Sequence, residues 1–107
     1  MVEKQEIKKL NFFYRKKNQA TNILAFPCNA FIKYNCQLLG DLVICKNVIE
    51  EETLKYNISL KEHWAHITIH GTLHLLGYDH KNKQDAKIME KIENKIMASL
   101  HYHKPYI

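Results

Sequence analysis

The stretch HITIHGTLHLLGYDH, residues 66–80, constrains this chain more than any other feature, because it places four histidines in fifteen positions. They stand at 66, 70, 74 and 80. Residues four apart lie one above another on a helix face, so His70 and His74 aim two imidazoles at a common atom from one rigid element. Gly77 follows three residues after His74, where glycine readily takes the left-handed conformation that closes a helix. The chain doubles back there, and His80 completes a triangle. Three imidazoles with no thiolate, carboxylate or fourth imidazole at a matching spacing leave one position open, as catalytic zinc sites do and structural ones do not. The pattern therefore predicts a working metal held by His70, His74 and His80. The competing reading is a set of core or surface histidines that fall on one face by chance. His66 extends the stripe by a turn but cannot share a tetrahedron with His70 and His74 and still admit His80. It is expected to support the site or face a substrate, or else simply to pack.

The whole chain agrees with a small enzyme or binding domain. Its 107 residues suffice for one domain that buries roughly two thirds of its unfolded surface. No apolar run approaches the roughly 20 residues that span a bilayer, and the N-terminus MVEKQEIKKL is charged and lacks the apolar stretch of a signal peptide. The expectation is a cytoplasmic protein with no membrane partner. Cys28, Cys36 and Cys45 are odd in number and lack C-x-x-C spacing, which argues against a disulfide framework or a thiolate zinc site. They read as small buried hydrophobes in a reducing compartment.

A formal charge of +5, spread from Lys4 to Lys104, permits a polyanionic partner without requiring one. One detail is sharper. Of 16 basic residues, Arg15 is the only arginine. In a chain so rich in lysine, asparagine and isoleucine, an arginine is either a chance survivor or is kept for what lysine cannot do. The usual such task is the planar fork that matches two phosphate oxygens.

Periodicity supplies the elements. Ile7, Leu10, Phe13 and Tyr14 recur at helical spacing over Lys4–Tyr14. TNILAF, residues 21–26, is short, apolar and stopped by Pro27, which predicts a strand. Residues 27–37 read as a loop with room for a short edge strand. LLGDLVIC, residues 38–45, is a second strand whose Gly40–Asp41 pair marks a bulge or a close backbone approach. A helix is expected over Val48–Tyr56. Ser59 and Glu62 form a capping box that opens a helix running through Trp64, Ile67 and Leu73 to about Leu76. Asn82 caps a last helix with an apolar stripe of Ile88, Met89, Ile92 and Ile96. Helix, strand, strand and three helices predict an α+β domain, a small mixed sheet packed with helices. The metal site then lies on a central helix and the turn that follows it.

The metal motif has a known relative in form. Metzincin proteases use H-E-x-x-H-x-x-G-x-x-H, with the glutamate as general base. His70, His74, Gly77 and His80 fit every fixed position except that glutamate, which is Gly71 here. A metzincin-like protease would thus need its base from elsewhere. Glycine inside a helix costs about 1 kcal/mol relative to alanine, so Gly71 is expected to let a strand or a substrate approach closely.

HGTLHLLGYDH, together with TNILAFP at 21–27, LGDLVIC at 39–45 and LNFFYR at 10–15, resembles the YbeY family of metal-dependent endoribonucleases. The resemblance covers essentially the whole chain. It implies an α+β sandwich, one zinc ion on His70, His74 and His80, and a functional role for Arg15. It also implies cleavage of single-stranded RNA in ribosomal RNA maturation, at the 3′ end of the small-subunit RNA, and in ribosome quality control. Ribosomal RNA and the small ribosomal subunit or its precursors are the implied partners. Family members usually carry a further strand and helix before the segment that begins near Lys8. The expectation is therefore a single domain over residues 1–107 that lacks them.

The chemistry this suggests is metal-assisted cleavage of a phosphodiester, with zinc acidifying a water or polarising a phosphoryl oxygen and Arg15 holding the phosphate. The nucleophile is either water or the ribose 2′-hydroxyl. Asp41 and Asp79 are the candidate bases, each also readable as a structural or supporting carboxylate. The rival classes are the protease and a ribosome-associated RNA-binding module whose zinc only holds the fold.

Overall fold

The computed structural model describes residues 1–15, 17, 19–27 and 39–106. Its elements are α1 (Lys4–Arg15), β1 (Ile23–Pro27), β2 (Gly40–Ile44), α2 (Lys46–Tyr56), α3 (Leu60–Leu75) and α4 (Lys83–Ser99). The class is α+β, as expected. The sheet, expected to be mixed, is an antiparallel pair among the described residues, with Ile23 opposite Ile44 through to Pro27 opposite Gly40. That register is unbroken, so Gly40–Asp41 is no bulge. Gly40 instead enters the strand at φ 150°, facing a proline that has no amide hydrogen to donate at the ladder's end. The loop expected at 27–37, Leu38, Cys28 and Cys36 fall outside the described residues, apart from the strand residue Pro27.

Side chains alternate across a strand, which divides the sheet into two working faces. Leu24 and Cys45 pack with Ile7 of α1 in one buried cluster, flanked by Leu10, Phe26, Val43 and Val48. Cys45 is fully buried, as its sequence reading required. Helix α1 differs in detail from its expected face. Ile7 and Asn11 are its buried residues, one turn apart, while Phe13 and Tyr14 are 71% and 60% exposed. The rings stay on the rim of the helix's contact with the sheet and stack edge-on, Phe13 on Tyr14 and Tyr14 on Phe26 of β1, each at 5.1 Å between centroids.

The other sheet face receives α3. A Cβ placed on Gly71 would lie 2.6 Å from Ile23 Cδ1 and 2.9 Å from Leu42 Cδ2, both inside van der Waals contact. Of the two approaches that Gly71 could admit, it is the strand that comes close. The start of α3 shows half of the anticipated capping box. Ser59 Oγ accepts the Glu62 amide at 3.4 Å, but the Glu62 carboxylate turns to His103 Nδ1 at 3.1 Å rather than back to the helix start. The tail offers it a titratable partner that the local sequence does not contain.

Helix α4 covers α3 and begins as foreseen, with Asn82 Oδ1 accepting the Asp85 amide at 2.8 Å. Its buried face is rotated from the expected one. Met89, Glu93 and Met97 are the residues it buries, whereas Ile88 is 49% exposed and Ile92 and Ile96 are only half-buried. Of the expected stripe Met89 is buried as foreseen, and the three isoleucines are not. The structure moves the buried face toward a carboxylate, Glu93, that meets His70 of α3 through one oxygen. No helix among the described residues is long and apolar enough to cross a membrane.

Gly71→Ala adds one methyl against two flexible side-chain tips and regains about 1 kcal/mol of helix propensity, so its net effect should be small. Gly71→Val forces branched bulk into the same contact, and overpacking of that kind costs about 1–3 kcal/mol. Urea unfolding should therefore rank valine clearly below alanine. Equal stability of the two variants would show that α3 does not rest on the sheet through residue 71.

Candidate metal centre

The three predicted ligands meet. His70 and His74 rise from successive turns of α3, and His80 returns from the turn beyond it. Their ring centroids are 4.7 Å (70 to 74), 5.7 Å (70 to 80) and 5.1 Å (74 to 80) apart. One ring nitrogen from each lies within 4.8 Å of the others, and His70 Nε2 and His74 Nε2 are 3.1 Å apart. Ligands 2.0–2.1 Å from a tetrahedral zinc stand roughly 3.3 Å from one another. The donor set therefore fits a metal ion with little adjustment.

Each imidazole is set by a separate local device. The helix end is a Schellman turn: the Gly77 amide bonds the His74 carbonyl at 3.1 Å, and the Tyr78 amide bonds the Leu73 carbonyl at 3.0 Å. Gly77 adopts φ 102° to allow it, and its surroundings are otherwise open, so conformation rather than space calls for glycine there. Asp79 Oδ1 then accepts the His80 amide at 2.7 Å. That bond is the main reason its carboxyl titrates below the usual range. His74 is lowered first by burial and then by the charges of His70 and His80, which favours the neutral imidazole that a metal requires.

His70 is held by a residue that the sequence reading missed. Glu93 of α4 is fully buried, and its Oε1 lies 2.5 Å from His70 Nδ1. An Nδ1–H donating to that carboxylate leaves the Nε2 lone pair facing the other two rings. Burial alone would push the Glu93 carboxyl up; the attraction of His66, His70 and Tyr106 outweighs it and brings the carboxyl down to about 2. The sequence does hold one signal, an acidic residue four positions from each of two buried methionines. His66, left open between two roles, is half-buried beside this carboxylate. Its Nε2 is 3.8 Å from Glu93 Oε1, beyond hydrogen-bond length, and it does not line the cleft that holds the three ligands.

That cleft has a volume of about 450 Å³ and lies between the end of α1, the start of β1 and the 77–80 turn. Arg15 lines it together with His70, His74 and His80. Arg15 is the last residue of α1, one turn beyond Asn11, and Asn11 anchors the chain that follows. Buried on α1, its Nδ2 donates to the Gln19 carbonyl at 2.9 Å, and its own carbonyl accepts the Lys17 amide at 3.3 Å, which folds the chain back under the helix end. Asp79 also lines the cleft, whereas Asp41 is exposed on β2 and does not.

The model of the family described as endoribonuclease YbeY matches residues 1–101. The chain belongs to the YbeY family. It is 71% identical to the endoribonuclease YbeY of Buchnera aphidicola from Acyrthosiphon pisum, over all of this chain and 69% of that protein. With the endoribonuclease YbeY of Legionella pneumophila strain Corby it shares 51% identity over 99% of this chain and 68% of that protein. A Thermotoga maritima protein solved in solution superposes with a TM-score of 0.55 at 27% identity, covering 94% of this chain and 67% of the other.

For this YbeY-family chain, zinc should bind at close to one equivalent. His70→Ala, His74→Ala and His80→Ala should each abolish that stoichiometry and His66→Ala should leave it intact, as measured by metal analysis after gel filtration. Full occupancy in His80→Ala would exclude the three-ligand site. Metal should also raise the melting midpoint, since free zinc a hundredfold above its dissociation constant adds about 2.7 kcal/mol to the folded state. A midpoint indifferent to chelator would contradict that.

Proposed function

We propose that this chain is a zinc-dependent endoribonuclease that cleaves single-stranded RNA during ribosomal RNA maturation, at the 3′ end of the small-subunit RNA, and in ribosome quality control. In this reading its substrates are ribosomal RNA and the small ribosomal subunit or its precursors, and it works in the cytoplasm. One observation carries the proposal: Arg15 and the three histidines share a single open cleft, so a phosphate held by the guanidinium lies beside the metal ligands. Family membership supports the same activity, because the curated relatives above are endoribonucleases by name.

His70, His74 and His80 would hold the zinc. When bound, the ion supplies a Lewis acid for a phosphoryl oxygen and a means of acidifying water. The chain's own residues do the rest. Arg15, at the exposed end of α1, makes no ion pair among the described residues, and its planar fork suits two phosphate oxygens. Lys17 lines the same cleft and adds positive charge along the path of a polyanion. Asp79 keeps its proton off through the His80 amide and orients His80, a supporting role that leaves it a poor proton acceptor near neutral pH.

The geometry disfavours both rival readings. A structural zinc site is closed on all sides by protein ligands, whereas these three line a solvent-open cleft. A metzincin-like protease needs a carboxylate at position 71, where a side chain longer than a methyl would be driven into Ile23 and Leu42.

Cleavage of ribosomal RNA by metal-analysed protein, beside a His74→Ala control, tests the activity, and Arg15 tests the mechanism. One charge-assisted hydrogen bond is worth about 1.5–3 kcal/mol, or roughly 10- to 100-fold in rate. Arg15→Lys keeps the charge and loses the fork, so cleavage should fall by about that factor with zinc content and melting unchanged. A lysine variant as fast as wild type, with only Arg15→Ala impaired, would reduce the role to charge alone.

A further inference from the structure

Beyond α4 the chain does not trail into solvent. His101 takes φ 66°, and the residues after it fold back across α4 and α3. Asn94 of α4 grips this tail by two bonds, its Nδ2 donating to the Tyr106 carbonyl at 2.9 Å and its Oδ1 accepting the Tyr106 amide at 3.0 Å. His103 meets Glu62 on the first turn of α3. Two anchors on two helices thus fix where the Tyr106 ring goes. It lies edge-on to His66, with centroids 5.5 Å apart.

Tyr106 also lines a second cavity, of about 330 Å³, with Glu93, His70 and His80. That cavity reaches the metal ligands without including Arg15, so it approaches them from behind the substrate cleft. Glu93 stands between. Its Oε1 is committed to His70, but its Oε2 is buried with no close partner among the described residues. An unmet buried carboxylate oxygen is costly. Two donors stand near it: His66 Nε2, itself buried without a partner among the described residues and 3.8 Å from Oε1, and the Tyr106 phenol, which lines the same cavity as Glu93 and reaches the carboxylate through one water or a small turn of its ring. Burial first, and Glu93 second, raise the pKa of that phenol, so it keeps the proton it would donate.

We propose that Tyr106 is a positioning residue of the metal centre: its phenol orients Glu93, and Glu93 holds His70 in the tautomer that presents Nε2 to the metal. The inference rests on the three-histidine metal site proposed above and extends it to the C-terminal tail. The family match ends at residue 101, so it says nothing of Tyr106. Partners that orient a ligating histidine typically change metal affinity 10- to 100-fold when removed, through ring orientation and tautomer rather than through any contact with the ion.

The test uses the full chain with Tyr106→Phe, Glu93→Gln and the double variant. In metal-free protein, long-range proton–nitrogen NMR of the His70 ring reports its tautomer; in titrations against a competing chelator, zinc itself is the probe. Wild type should show His70 protonated on Nδ1. Tyr106→Phe, which keeps the ring packing, should mix the tautomers and weaken zinc about tenfold while the melting midpoint in chelator stays put. Glu93→Gln should weaken zinc by about 10- to 100-fold, and adding Tyr106→Phe to it should cost nothing more if the phenol acts only through Glu93. A Tyr106→Phe protein with wild-type tautomer and wild-type zinc affinity would overturn the proposal. So would one that melts lower with no change in His70, because the tail would then be merely structural. Should Glu93→Gln fail to fold, Asn94→Ala, which releases the tail, replaces it and must reproduce the Tyr106→Phe shift in tautomer. Failure of wild type to bind zinc would sink the metal reading alone, since the tautomer measurement needs no metal.

Discussion

The contact of α3 with the sheet at Gly71 is the constraint on which the site depends. One helix has to serve the core, the sheet and the cleft at once. Ile67 and Leu73 bury themselves in the core, Gly71 meets Ile23 and Leu42, and His70 and His74 look into the cleft. Neighbouring residues on a helix point about 100° apart, so His70 can face the cleft while Gly71 faces the strand. The missing Cβ lets the helix close on β1, the strand whose first residues form the cleft's opposite wall. A side chain bulkier than a methyl at 71 would move the helix outward or twist it, and either motion carries both imidazoles with it. Functional constellations tolerate about 0.5 Å of such displacement.

Around that contact the three ligands are fixed independently. His74 is set by the helix itself, His80 by the Schellman turn and the Asp79 carboxylate, and His70 by Glu93 reaching across from α4. A rigid triangle thus draws on three kinds of local structure. Arg15 is placed differently, at the end of α1 one turn past the buried Asn11. Arg15, the proposed phosphate contact, therefore belongs to the opposite sheet face from the three histidines, and the two meet only at the edge of β1.

That division suits an enzyme of the YbeY family acting on a polyanion. Three neutral imidazoles leave a bound divalent metal with its full positive charge, and Arg15 and Lys17 add to it on the same side. The carboxylate that tunes the site is kept out of the substrate's way, buried behind His70. Among the described residues, negative charge lining the cleft is confined to Asp79, whose partner is the backbone amide of His80.

The histidine triangle was legible in the sequence because its determinants are local. The i, i+4 spacing, the glycine at the turn and the return to His80 all follow from short-range backbone geometry within residues 70–80. The same holds for the caps at Ser59 and Asn82, and for the strand order, which short apolar runs and proline announce. What lay beyond it was every choice made between elements. Ile88 was read as core and Glu93 passed over, because hydropathy cannot say that a buried face will meet two histidines rather than aliphatic side chains. Phe13 and Tyr14 share the helical spacing of Ile7 and Leu10, yet they stay exposed at the rim of the sheet, where Tyr14 meets only the edge of Phe26. Glu62 was assigned to its own helix start, but His103, forty-one residues away, takes it. The sequence by itself determined which groups are able to bind a metal. Only the packing of α4 and the tail against α3 decided how those groups are held, since the burial that makes a carboxylate such as Glu93 effective is a property of several elements together and of none alone.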